Sequence, residues 1–172
     1  MDPVVDDGPA GLDLGPGPER SVPPPAAVDG LIGLAVVAIG VDLVDIDRIR
    51  DTMARQPGFA ERVFSPAERD YCDRRHDPAE RYAARFAAKE AVLKALGTGL
   101  GGGDFHDIEV IRQESGEPTL SVSGRAAAAA EARGIRRWLI TMTHSDHLAQ
   151  VVVAGLGAEP SPPQELLAGG DD

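Results

Sequence analysis

Two carboxylates of this 172-residue chain sit where a carboxylate is costly. Asp42 interrupts the apolar run Leu34 to Val44, LAVVAIGVDLV. Glu90 falls inside the stripe Tyr82, Phe86, Leu93 of the stretch RYAARFAAKEAVLKALGTGLGGG, Arg81 to Gly103, whose first part is rich in strong helix formers. An inward charge needs a partner, because burying it unpaired is expensive. Lys94, one turn on, is one candidate and a metal ion is another. His144 follows the strand-like run Trp138 to Thr143, WLITMT. Two carboxylates from separate elements suit Mg²⁺, a hard cation that takes oxygen ligands and fills its sphere with water and substrate phosphate. Zinc is disfavoured, since no tight Cys/His cluster exists. Asp42 also has a plainer reading, as a buried polar group satisfied by a neighbouring backbone N–H.

Several elements must position these groups. The run 34–44 reads as a buried strand, apolar on both faces. Gly40, on the same face as Asp42, leaves room beside the carboxylate or lets another backbone come close. Asp45 to Arg55 reads as a helix capped by Asp45, with Ile46, Ile49 and Met53 inward and Arg48 and Arg55 on another face. Pro57 and Gly58 end it. Ser65 caps SPAERDYCDR, with Pro66 at the first position and Glu68 completing a capping box. Cys72 has no metal-ligand spacing around it and reads as a packed small hydrophobe. Asp77, Pro78 and Glu80 open the long helix in the same manner, and Gly97 is a left-handed stop. The loop Thr98-Gly-Leu-Gly-Gly-Gly lets backbone N–H groups converge on an anion, yet lacks the Lys-Ser/Thr ending of a nucleotide loop; alone it reads as a connector. DIEVIRQ (107–113), a turn at 115–118 and Thr119 to Val122 make a hairpin. Gly124 to Arg133 is a helix by propensity, Trp138 to Thr143 a strand, and His147 to Ala154 a closing strand.

The composition, 42% hydrophobic and 26% charged, suits one globular domain with a real core. The formal charge of −11 belongs mostly to the ends. Asp2, Asp6, Asp7, Asp13, Glu19 and Asp29 face only Arg20, and Glu159, Glu165, Asp171 and Asp172 face no cation. The body is close to neutral, which argues against broad nucleic-acid binding. Residues 1–32, rich in Pro, Gly and Asp, read as a disordered extension, 33–157 as the folded domain, and 158–172 as a flexible tail. A single cysteine fits a reducing cytoplasm, and no signal peptide or membrane span is expected.

The motifs GVDLVDIDRI at 40–49, RFAAKEAVLKALGTG at 85–99 and THSD at 143–146, in that order before a terminal apolar strand, resemble the holo-[acyl-carrier-protein] synthase family, the small 4′-phosphopantetheinyl transferases. The resemblance runs from about Val37 to Gly155. It implies an α+β fold with an antiparallel sheet packed against a long central helix. It also implies transfer of the 4′-phosphopantetheine group of coenzyme A to a serine of apo acyl carrier protein, with Mg²⁺ required and adenosine 3′,5′-bisphosphate released. Asp42 and Glu90 fall on the family's metal positions. Glu90 is the first candidate base for the serine hydroxyl and His144 the second, or a phosphate holder. Lys94 matches a position near the reacting phosphate. Arg85 is assigned to coenzyme binding or site support, and Gly97, Thr98 and Gly99 to the loop along coenzyme A. Arg48 and Arg55, with Phe59 and Arg62 beyond, fall where family members dock the acidic carrier protein.

The family also implies a homotrimer with sites at subunit interfaces. The long acidic extension and the extra glycines at 101–103 depart from the family pattern, and Asp146 is displaced by one residue, so no role passes to it. Two other readings remain: a Mg-dependent phosphohydrolase acting on a small nucleotide, and a catalytically silent carrier-protein docking module.

Overall fold

A computed structural model of the chain describes residues 34–158, so the extension at 1–32 and the tail beyond Ala158 lie outside the described residues. The elements run β1 (Leu34–Asp45), α1 (Ile46–Arg55), α2 (Phe59–Val63), α3 (Pro66–Asp73), α4 (Pro78–Leu96), β2 (Ile108–Arg112), β3 (Pro118–Val122), α5 (Gly124–Ala132), β4 (Ile135–His144) and β5 (Leu148–Ala158). Short 3₁₀ turns at Gly99–Gly102 and Phe105–Asp107 precede β2. The strands β1, β5 and β4 form one antiparallel sheet in that order, and β2 and β3 form a separate hairpin. This is the expected α+β architecture, with α4 lying across the inner face of the sheet.

The helix ends are chosen locally. Asp45 Oδ1 accepts from Arg48 N at 2.8 Å and starts α1. Ser65 and Glu68 complete both halves of a capping box on α3, each contact at 3.1 Å. Gly97, at φ 63°, closes α4 in the left-handed region. We expect Ser65→Ala to lower stability by about 1 kcal/mol, seen as a lower urea midpoint at unchanged slope.

The long helix α4 is buried nearly all round, and much of its surface is alanine: Ala79, Ala83, Ala84, Ala87, Ala88, Ala91 and Ala95. Small side chains let the sheet come close. At Gly40 the approach is backbone to backbone, since a Cβ there would stand 1.9 Å from the Ala91 carbonyl oxygen. Lys89 and Glu68 are buried between α3, α4 and β2, with Nζ 2.8 Å from Oε2. Burial pulls the Lys89 ammonium below its ordinary range, and the charge of Glu68 opposes that shift. Deleting one partner alone costs about 3–5 kcal/mol, because the other charge is left buried.

Several expectations need correction. The strand β1 is not buried on both faces. It is an edge strand whose inner face meets α4, while Ile39 (65%), Leu43 (56%) and Val41 (44%) on the other face are exposed. Glu80 does not complete a capping box; Asp77 accepts from Ala79 N, and Glu80 turns towards His144. The single stripe on α4 is too narrow a description, since only Pro78, Glu80, Arg81, Phe86, Glu90 and Lys94 of the helix escape burial. The chain after Gly58 forms the short helix α2, which carries no cap signal beyond a left-handed glycine. Strands β4 and β5 run further than expected, because β5 continues through Gly155 and Gly157. There the missing side chains admit Ile135 and the Gly134 carbonyl.

Candidate active site

Asp42 lies on the inner face of β1, its side chain 12% exposed, and Lys94 Nζ reaches its Oδ1 at 2.6 Å. The lysine therefore partners Asp42, not Glu90 as its spacing on the helix implied. Glu90 is half-buried on α4 and makes no hydrogen bond to another described residue. Its carboxyl is held above the usual range, first by burial and then by the negative charge of Asp42, with Lys94 opposing. So β1 and α4 bring Asp42, Glu90 and Lys94 together. The donor set is two carboxylates. Among the described residues, no group of three or more His, Cys, Asp or Glu gathers for a metal. Two carboxylates in electrostatic contact, with an ammonium drawn to one of them, form a place where a cation is favoured, and their oxygen chemistry fits Mg²⁺.

His144 does not join them within the chain. It ends β4, with Nε2 3.6 Å from Glu80 Oε2 on the first turns of α4. Glu80 and Glu90 are ten residues apart on one helix, about 15 Å along its axis. His144 instead lines a cavity of about 180 Å³ with Tyr71, Arg81, Arg85, Arg112 and Thr143 among its walls. Arg85 is buried, at 3% exposure, with its guanidinium 4.1 Å over the Tyr71 ring. Arg112 Nη1 donates to the Tyr71 hydroxyl at 3.2 Å. Burial works to raise the Tyr71 phenol, but the Arg112 bond and the neighbouring guanidinium charges leave it below its ordinary value. The Nε atoms of Arg81 and Arg85 are buried without a partner. Unpaired guanidinium donors around a cavity suit an anion. The family resemblance pointed to Arg85, and a strand end marked His144; Tyr71, Arg81 and Arg112 went unnoticed, because nothing local marks residues that meet only through the fold.

Gly97, Thr98 and Gly99 are exposed at the C-terminal end of α4. A Cβ on Gly97 would stand 2.5 Å from Arg133 Nη2, so that arginine lies directly against the loop. Arg48, Arg55 and Arg62 are exposed; Arg55 pairs with Asp51 at 3.4 Å, and Arg62 donates to the Pro57 carbonyl at 3.4 Å. Phe59 is half-buried instead of free on the surface, its ring 6.1 Å from that of Phe64 and 6.2 Å from that of Phe86. No helix among the described residues is long and apolar enough to cross a membrane.

The sequence profile of the 4′-phosphopantetheinyl transferase superfamily matches residues 38–152. A holo-[acyl-carrier-protein] synthase of Desulforudis audaxviator is 45% identical over 127 residues, covering 73% of this chain and 97% of the relative. Another, from Frankia alni, is 46% identical over 120 residues, 70% of this chain and 97% of the relative. Among solved structures, the holo-[acyl-carrier-protein] synthase of Neisseria meningitidis superposes with a TM-score of 0.63 at 30% identity, over 70% of this chain and 98% of that one. The Helicobacter pylori synthase in complex with coenzyme A gives 0.60 at 30% identity, over 68% and 98%.

Proposed function

The chain belongs to the 4′-phosphopantetheinyl transferase superfamily, and from that premise we propose how it carries the 4′-phosphopantetheine group from coenzyme A to a serine of apo acyl carrier protein. The products are holo acyl carrier protein and adenosine 3′,5′-bisphosphate. The observation that carries the chemistry is the meeting of Asp42, Glu90 and Lys94.

Asp42 and Glu90 would hold Mg²⁺, which supplies positive charge beside the pyrophosphate as its bond opens. Lys94, 53% exposed, is assigned to leave Asp42 and place its ammonium on the reacting phosphate. Glu90 is assigned as the acceptor of the serine proton. The exposed loop Gly97-Thr98-Gly99 runs along the coenzyme, and Arg85 and His144, joined by Arg81 and Arg112, take coenzyme phosphate in their cavity.

Within one chain the carboxylates and the arginine cavity lie towards different ends of α4. We therefore assign the complete site to an interface in a homotrimer, where one subunit's Asp42 and Glu90 face a neighbour's His144 and Arg85. The exposed apolar face of β1 supports this reading, since a surface of that kind is normally covered. The single, buried, free thiol of Cys72 suits work in the cytoplasm.

The test is intact-mass analysis of an apo acyl carrier protein incubated with this protein, coenzyme A and Mg²⁺, with an EDTA control. A gain of one phosphopantetheine, lost with EDTA or with the acceptor serine changed to alanine, is the expected result. Free phosphopantetheine without carrier modification would identify a hydrolase. Coenzyme A binding without turnover on any of several carriers would identify a docking module.

The exposed Arg48 and Arg55 of α1 are assigned to the acidic face of the carrier. Reversing both charges (Arg48→Glu with Arg55→Glu) raises KM for the carrier at least about tenfold and leaves coenzyme A binding unchanged, because steering charges act on encounter. Steady-state kinetics against carrier concentration at two salt levels checks this.

A further inference from the structure

We infer that the buried Lys89–Glu68 pair is a positioning device for the transfer site, holding the rotation of α4 so that the adjacent Glu90 faces Asp42. The inference rests on the transferase reading above and extends it to a residue pair that touches neither substrate nor metal.

Small residues on α4 set how near the helix lies to the sheet, but they grip it weakly against turning about its own axis. Alanine faces are smooth, Val92, Leu93 and Leu96 pack by shape without directional bonds, and the Gly40–Ala91 contact sets mainly how near the helix lies to β1. Glu90 has no hydrogen bond of its own to aim it, so its direction follows from the helix. Consecutive helical residues point about 100° apart. Whatever anchors Lys89 therefore aims Glu90.

Lys89 is anchored at every donor. Its ammonium meets Glu68 Oε2 at 2.8 Å, the Phe105 carbonyl at 2.9 Å and the Ile108 carbonyl. Glu68 is equally committed, accepting from Ser65 N at 3.1 Å and, through Oε1, from Val110 N at 3.0 Å. The pair thus ties α4 to the start of α3, to the turn at 105–107 and to β2, three elements on the side of the helix away from β1. A well-packed apolar pair can match or exceed a buried ion pair in stability. What an apolar pair lacks is direction.

The test uses the full chain. In Lys89→Met with Glu68→Gln, the amide oxygen still accepts from Val110 N, the Ser65 N–H gives up its side-chain acceptor, and no lone charge is left inside. We expect a cooperative melt, KM for coenzyme A and carrier within about threefold, and kcat lowered on the order of 100-fold, the scale of a small misplacement of a reacting group. The Mg²⁺ concentration for half-maximal rate rises at least tenfold. The Mg²⁺-dependent rise in melting temperature, read without carrier or coenzyme, shrinks in parallel. Tyr82→Phe, which removes a 2.8 Å bond to Asp73 elsewhere on α4, is the stability control and keeps kcat and the Mg²⁺ response.

A double variant that folds with unaltered kcat and unaltered Mg²⁺ response overturns the inference. If it fails to fold, Lys89→Arg decides. It keeps the charge but not the three-donor geometry, so kcat falls at least tenfold and the Mg²⁺ response weakens; an arginine variant that behaves as the unaltered protein overturns the inference instead. Failure of the transferase reading is distinguishable, because it appears as absence of transfer by the unaltered protein, while the melting response to Mg²⁺ still tests the aim of Glu90.

Discussion

Glu90→Gln abolishes transfer, lowering kcat on the order of 1,000-fold or more, and leaves the folded protein no less stable. Both halves follow from the same carboxylate. In the transferase reading it is a metal ligand and the base for the incoming serine, and an amide is poor at either task. Its burial and the nearby charge of Asp42 hold its carboxyl above the ordinary carboxylate range in the folded state. The folded protein therefore binds that proton more tightly than the unfolded chain does. The associated stability is fully present below the ordinary glutamate value, about 4.3, and is lost as pH rises through the folded value. At neutral pH the ionised carboxylate is a burden, which glutamine removes. Melting at pH 7 should be equal or higher in the variant, and the difference should vanish in acid. The rise in melting temperature on adding Mg²⁺ should disappear. A fully active variant would sink the assignment of Glu90, whatever its stability.

The second large effect comes from a residue with no side chain. Gly40→Ala should cost about 2–3 kcal/mol and lower kcat roughly 100-fold. The added methyl would sit 1.9 Å from the Ala91 carbonyl oxygen, 2.9 Å from its carbon and 3.0 Å from Ala95 N. All three are backbone atoms of α4, so no rotamer change relieves the clash, and helix and strand must part. Asp42 is two residues along β1 and Glu90 is next to Ala91. The separation falls directly on the gap between the two carboxylates. The face of α1 that carries Arg48 and Arg55 is a different surface, so KM for the carrier should change little. Urea unfolding and steady-state kinetics on one preparation test both claims. Unchanged kcat would mean that the close approach of β1 and α4 is not what sets the site.

Much of this architecture was legible in the residues because its signals are local. Asp45, Ser65 with Glu68, Asp77 and Gly97 mark helix ends through bonds that span only a few residues, and all four mark ends in the structure. Gly40 beside Asp42 announced a close approach, and the structure has one. The losses are tertiary. The apolar outer face of β1 looks like core in the sequence, since nothing local distinguishes a residue covered by its own chain from one left bare. Lys94 looked like a partner for Glu90 because helix spacing is readable, whereas a strand contributed by residues 52 positions away is not. Lys89 was passed over altogether. A lysine on an alanine-rich helix normally faces water, and only the fold reveals a carboxylate and two carbonyls waiting for it.

Cys72 carries a consequence of its own. It is the one cysteine of the chain, fully buried in the core on α3, and burial pushes its thiol up to about 12. In the closed protein it is inert to alkylating reagents. Labelling at neutral pH therefore counts the moments when α3 lifts from its neighbours, so the chain carries its own clock for local opening. Because Glu68 rides on that same helix, the ticking rate reports how often the grip on Lys89 lets go. An added ligand that steadies the site should slow the clock before any change in overall unfolding is visible.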